Sequence, residues 1–113
     1  MFNNLKKFSV VAVVVACLGA LYAVPAQAGT VNVTVKSFSI TMPSKIKAGK
    51  VTFKVHDSSG THGFCIAGKC SSTLGTGQST SLSVTLKKGK SYTAYCPVDS
   101  HRGMGMSKKV KAT

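Results

Sequence analysis

Apolar and polar residues alternate with a period of two along much of this chain. Val31, Val33 and Val35 are separated by Asn32, Thr34 and Lys36, and such alternation gives a strand one apolar and one polar face. Phe38, Ile40 and Met42 continue the pattern up to Pro43, which lacks an N–H for a ladder and ends pairing or marks an edge. Ser44 to Lys50, with Gly49, reads as a turn region. Val51, Phe53 and Val55 predict the next strand, with Thr52 and Lys54 outward. His56-Asp57-Ser58-Ser59-Gly60-Thr61 is a polar loop with turn chemistry. His62, Phe64 and Ile66 share one parity, so a strand beginning here turns His62 inward and Cys65 to the other face. Gly68 to Gln78, rich in Gly, Ser and Thr, reads as loop. Leu82, Val84 and Leu86 alternate with Ser and Thr, and Lys87-Lys88-Gly89-Lys90 is a basic turn. Tyr92, Ala94 and Cys96 alternate again, which puts Cys96 at the inward end of a strand. A weaker strand, Lys108 to Ala112, centres on Val110.

No segment after Ala28 keeps a helical period, and there are no internal repeats. About seven short strands, with turn signals every ~8–12 residues, predict an all-β fold, an antiparallel sandwich or barrel. Strand ends converge in a sandwich, so His62 and Cys96 can meet at one pole although far apart in the chain.

The N-terminal stretch has a different pattern. Met1 to Ser9 carries Lys6 and Lys7 and no acid, Val10 to Val24 is apolar, and Ala26-Gln27-Ala28 is an A-x-A site. This is the pattern of a helical secretory signal peptide cleaved after Ala28. One alternative is a membrane anchor, but the run falls short of the ~20 residues a spanning helix needs. Another is lipidation at Cys17, since Val14-Val15-Ala16-Cys17 loosely resembles a lipoprotein box, although the apolar run continues past it. The expected organisation is a signal peptide over 1–28 and one domain over 29–113, in a periplasmic or secreted protein.

Residues 29–113 contain thirteen Lys and Arg against Asp57 and Asp99, with no Glu, for a net charge of +11. That charge favours solubility and attracts an acidic partner or surface. Lys87, Lys88 and Lys90 read as a solvated turn, and with Lys108, Lys109 and Lys111 they make a candidate basic face. An exported chain does not ordinarily meet nucleic acid. Without Glu, and with a single Asp near the cysteine-histidine loop, hydrolytic or oxygen-activating chemistry has little to work with. Export would also remove Cys17, leaving Cys65, Cys70 and Cys96. An odd count suggests one pair and one reserved thiol. Cys65 and Cys70 are the natural pair by spacing, but the sequence leaves Cys96 free to pair with either.

The chemistry concentrates in Tyr95-Cys96-Pro97-Val98-Asp99-Ser100-His101-Arg102-Gly103-Met104-Gly105-Met106. A thiol, an imidazole and two thioethers in one loop suit copper, and His₂Cys with a weak axial Met is the ligand set of a blue-copper centre. The second imidazole must come from elsewhere. His62 is the candidate by parity, and His56 is the weaker one. Copper(II) binds a given N/S site more tightly than zinc, and zinc prefers four strong donors and gains little from a thioether. At the axial position Met104 and Met106 compete.

These residues resemble the cupredoxin family of small blue copper proteins, in particular its plastocyanin- and azurin-like members, over essentially the whole of 29–113. Val51-Thr52-Phe53-Lys54-Val55-His56 followed by Gly60-Thr61-His62-Gly63-Phe64 is similar to the family's strand, loop and first copper histidine. Gly77-Gln78-Ser79 through Leu86, then Lys88-Gly89-Lys90-Ser91-Tyr92, is similar to its next hairpin. Cys96-x4-His101-x4-Met106 is similar to its ligand loop. The resemblance implies a Greek-key β-sandwich with one type 1 copper. It implies His62 and His101 as the imidazoles, Cys96 as the thiolate and Met106 as the axial thioether, since Gly105-Met106 matches the family's Gly-Met. Three departures stand out. His56 takes the place of an Asn that ties the family's ligand loops together, Ser107-Lys108-Lys109 stands where the family often has Gly shortly after the axial Met, and a Cys65–Cys70 pair is not a general family feature.

The expected function is non-enzymatic electron transfer by a monomer between redox partners. Its partner would be an acidic cytochrome or oxidase domain, or it would dock at an anionic membrane surface. The alternatives are a copper carrier, storage or resistance protein, and a metal-free adhesion or membrane-surface module that uses the charge.

Overall fold

The structure, a computed structural model, describes residues 29–113. The signal peptide expected over 1–28 and the lipidation alternative at Cys17 lie outside the described residues. Nine strands follow in order: β1 (Gly29–Lys36), β2 (Ser39–Thr41), β3 (Lys45–Ile46), β4 (Gly49–Asp57), β5 (Cys65–Ile66), β6 (Lys69–Cys70), β7 (Ser79–Leu86), β8 (Ser91–Tyr95) and β9 (Ser107–Ala112). They form a four-stranded sheet in the order β2-β1-β4-β7 and a five-stranded sheet in the order β3-β9-β8-β5-β6. Among the described residues no helix is long and apolar enough to cross a membrane.

The alternation seen in the sequence sets the sandwich. Val33 and Val35 of β1, Val51, Phe53 and Val55 of β4, and Val84 and Leu86 of β7 are buried against Ala94, Val110, Ala112, Phe64 and Ile66 of the opposite layer. Phe53 and Phe64 bridge the two layers, with ring centroids 5.3 Å apart. The alternate residues Lys54, His56, Ser81, Ser83 and Thr85 face solvent. Burial of each large side chain contributes ~1.5–3 kcal/mol, so the apolar parity holds the two sheets face to face.

The sandwich departs from the expected pattern in three ways. It is mixed rather than antiparallel: β1 pairs in parallel with β4, Val33 opposite Val55, and β3 pairs in parallel with β9, Lys45 opposite Lys111. The chain leaves β1 through β2, crosses to the other sheet as β3 and returns as β4 beside β1, so the two long strands run the same way. The turn region Ser44 to Lys50 contains β3 and the start of β4, and Ile46 of β3 is apolar and buried in the core. The loop Gly68 to Gln78 contains β6, which pairs Cys70 with Cys65 and Lys69 with Ile66. Cys65 and Cys70 are joined by a disulfide, and Cys96 is a free buried thiol.

Phe53 is fully buried at the centre of the inter-sheet contact. Phe53→Ala should cost ~3–5 kcal/mol, a large share of the ~4–13 kcal/mol expected of a domain this size. The check is a denaturant titration against the unsubstituted protein; a loss below ~1 kcal/mol would misplace Phe53 in the core.

Candidate metal centre

Three loops close one pole of the sandwich. The β4–β5 loop brings His62, the β8–β9 loop brings Cys96, His101 and Met106, and the β1–β2 turn brings Ser37 and Phe38. His62 belongs to no strand. It forms an isolated bridge with Leu74, its N–H donating to Leu74 O at 3.0 Å and its C=O accepting from Leu74 N–H at 2.7 Å. This fixes the backbone of a fully buried histidine. Just upstream, buried Asp57 accepts from Ser59 N–H at 3.0 Å through Oδ1. That Asx turn reverses the chain toward the pole.

Cys96 follows the last residue of β8, and its N–H donates to Met106 O at 3.1 Å. Val98, Ser100 and His101 then close the loop by turns: His101 N–H donates to Val98 O, and His101 O accepts from Met104 and Met106 N–H at 3.0 and 3.1 Å. Gly105 has φ +124°, and a Cβ there would stand 2.7 Å from Phe38 O. Glycine is therefore required at a point where the loop both turns left-handed and touches the β1–β2 turn.

The donor atoms converge. His62 Nδ1 lies 3.2 Å from His101 Nδ1, and Cys96 Sγ lies 3.9 and 3.8 Å from these two nitrogens. His62, Cys96 and His101 are the one His/Cys/Asp/Glu group among the described residues able to hold a metal ion, its donor atoms all within 4.8 Å of one another. First-row metal bonds of ~2.0–2.3 Å to nitrogen and sulfur require donors about this far apart, so the residues fit one ion. With the fold, the cluster indicates one type 1 copper site.

The expected residues divide clearly. His62, Cys96 and His101 come together. Met106 is fully buried beside the Cys96 main chain, whereas Met104 is 52% exposed and its sulfur accepts from Ser100 Oγ at 3.8 Å. His56 stands away from the cluster, on the exposed outer face of β4, with Nδ1 2.8 Å from Ser79 Oγ. It therefore does not tie the ligand loops together. Gly63 does: its N–H points to Cys96 Sγ at 3.5 Å, and a Cβ on it would stand 3.1 Å from Pro97 Cδ.

Two residues of the site were not singled out from sequence. Ser37 Oγ lies 3.2 Å from His62 Nε2, on the ring edge away from the cluster. Phe38, 41% exposed, meets the His101 ring edge-on at 5.1 Å. A ligating histidine that is hydrogen-bonded through its other nitrogen keeps its tautomer and orientation. Ser37→Ala should therefore weaken metal binding by roughly 10–100-fold, read by competition with a chromophoric chelator, with Ser37→Thr restoring most of it. Unchanged affinity in Ser37→Ala would remove Ser37 from the site.

No family model matches the chain, and no curated protein matches it. Solved structures do. Auracyanin from Roseiflexus castenholzii, reduced with dithionite, aligns at 16% identity and TM-score 0.59 over 74% of this chain and 96% of that one. Auracyanin A from Chloroflexus aurantiacus, a "blue" copper protein, aligns at 13% identity and TM-score 0.64 over 77% of this chain and all of that one. A chain in the structure of a heme-copper terminal oxidase dimer aligns at 11% identity and TM-score 0.61 over the full length of both. With two sheets closed at one pole by these loops, the chain has the fold of the blue copper proteins, the cupredoxin fold.

Proposed function

We propose that the protein is an exported small copper protein that carries electrons between redox partners and is not an enzyme. His62 Nδ1, Cys96 Sγ and His101 Nδ1 would hold the copper, with the Met106 thioether as its weak axial donor. The observation that carries this reading is the convergence of two imidazoles and one free buried thiol within 4.8 Å, a donor set suited to copper. Met106 is preferred to Met104 because it is buried beside Cys96 while Met104 is turned to solvent.

Bound copper would supply a one-electron couple. The rest follows from the chain. Leu74 and Ser37 fix His62, Met106 O and Gly63 N–H fix Cys96, and the turns of the loop fix His101. Donors held this way rearrange little with the charge on the site, which lowers the barrier to electron exchange. His101 is half-buried and stands beside exposed Phe38 and the exposed Met104 segment. It is the ligand that reaches solvent, at a pole with apolar surface suited to a redox protein such as a cytochrome or oxidase domain. The oxidase chain among the structural relatives and the leader-like sequence of 1–28 support a setting of this kind.

Cu(II) should give an intense visible thiolate-to-copper band, and Cys96→Ser should abolish it, because a hydroxyl does not replace the soft donor. A Cys96→Ser protein that stays coloured would overturn the assignment. Copper should also remain bound through repeated oxidation and reduction; ready transfer to a chelator would favour the carrier reading instead.

Met106→Leu should keep copper and raise the reduction potential, through loss of a weak donor to the oxidised metal, while Met104→Leu should change it much less. The reverse ranking in voltammetry would move the axial role to Met104.

A further inference from the structure

The positive charge is densest at one pole, where seven of the thirteen Lys and Arg of 29–113 gather. Lys45 and Lys47 flank Ile46 of β3, Lys50 stands at the start of β4, and Lys87, Lys88 and Lys90 form the β7–β8 turn. Lys111 stands at the end of β9, directly opposite Lys45. The strand ends bring all seven together. Gly49 pairs with Leu86, Gly89 N–H donates to Ala112 O, Ala112 N–H donates to Lys90 O, and Ala48 N–H donates to Thr113 O. Every one of these lysines is exposed. This is the pole opposite the metal centre. Asp57 lies at the other end of β4, and the eight steps of ~3.3 Å along its nine residues set the two ends roughly 26 Å apart. Both aspartates lie toward the metal pole, one buried in the β4–β5 region and one in the ligand loop.

At ~0.1 M salt the Debye length is ~10 Å. Charges set back along the strands from the metal pole, by ~16 Å from Met106 for Lys111 and by roughly 25 Å for Lys50 at the far end of β4, are largely screened there. They act on whatever lies against their own pole.

We infer that this basic pole docks on a membrane surface of anionic phospholipid headgroups and leaves the metal pole facing outward. Two observations favour headgroups over an acidic protein. The cations are all lysines, flexible point charges, whereas the one arginine, Arg102, is at the metal pole, stacked 4.2 Å over Tyr95; Arg is the residue of choice for forked carboxylate recognition. The aromatic residue among the seven, Tyr92, is half-buried with Lys90 Nζ 5.3 Å over its ring, while exposed Phe38 and Met104 belong to the other pole, and protein interfaces are anchored by exposed groups of that kind. The inference does not depend on copper and survives or fails separately from the electron-transfer reading.

The test is co-sedimentation of the purified full chain with phosphatidylcholine vesicles, with and without about 30% phosphatidylglycerol, at ~0.01 and ~0.15 M salt. Binding should require the anionic lipid and weaken with salt. At about 1 kcal/mol per lysine near the surface, the triple variant Lys87→Gln, Lys88→Gln, Lys90→Gln should bind roughly a hundredfold more weakly. The triple variant Lys36→Gln, Lys54→Gln, Lys69→Gln carries the same net charge and should stay within about threefold of the parent. Thermal melts verify that both variants are folded. Equal losses in the two variants would mean that net charge alone acts and would overturn the proposal. Equal binding to neutral vesicles would overturn it too, by assigning attachment to the apolar sequence Val10 to Val24. So would capture of the pole by polyglutamate with no binding to anionic vesicles, which would point to an acidic protein instead.

Discussion

The contact on which the site depends is between two loops that start from different sheets. The His62 loop leaves β4 in one sheet, and the Cys96 loop leaves β8 in the other. They meet where Gly63 lies against Pro97 and its N–H points to Cys96 Sγ. Burying two imidazoles and a thiol at the end of an apolar core is unfavourable unless each has partners. Here each is held from the outside. Ser37 stands at the back of His62, Gly63 reaches Cys96, and the turns of the ligand loop carry His101. Their remaining donor atoms face one another. The groups are thereby fixed in place while their metal-binding atoms stay free.

The same contact relates the core to the site. Phe64 follows Gly63 and is buried against Phe53. Its backbone is bracketed by Ser71, whose Oγ accepts from Phe64 N–H at 3.1 Å and whose N–H donates to Phe64 O at 2.8 Å. The Cys65–Cys70 disulfide closes the short hairpin that provides Ser71. The position of His62 is thus set by packing two residues downstream and by a covalent clamp just beyond. Rigidity of the site and stability of the sandwich draw on the same residues.

Much of this was legible in the sequence because strand alternation is local. The parity of Val51, Phe53 and Val55 gave β4 its two faces, and the parity of Tyr92, Ala94 and Cys96 gave the thiol its inward aim. His56, read from the sequence as the start of a polar loop, instead continues β4 on its outer face and bonds Ser79, so it does not stand in for the family's loop-tying Asn. Pairing direction was not legible. The parallel alignment of β1 with β4 depends on where the chain crosses between sheets, and a two-residue strand such as β3 carries no period. Ser37 and Phe38 were missed for a related reason. They sit in a turn, and only the three-dimensional closure of the pole puts a hydroxyl behind His62 and a ring against His101.

The lysines show a further limit of composition. A net charge predicts attraction but not which surface attracts. In register, Lys45 faces Lys111 across a parallel pair, and Lys111 in turn faces Ser91, next to Lys90. Like charges directly opposite one another cost a few tenths of a kcal/mol or more, and no acid stands between them. At the metal pole the cations are dealt with differently. Arg102 stacks on Tyr95, and Lys108 Nζ donates to Met42 O. One end of the sandwich thus sets its cations beside an apolar rim, and the other crowds seven lysines together, of which Lys90 lies 5.3 Å over the Tyr92 ring. Two such ends on one rigid body suit two different contacts made at once, one apolar and short-ranged and one electrostatic and diffuse.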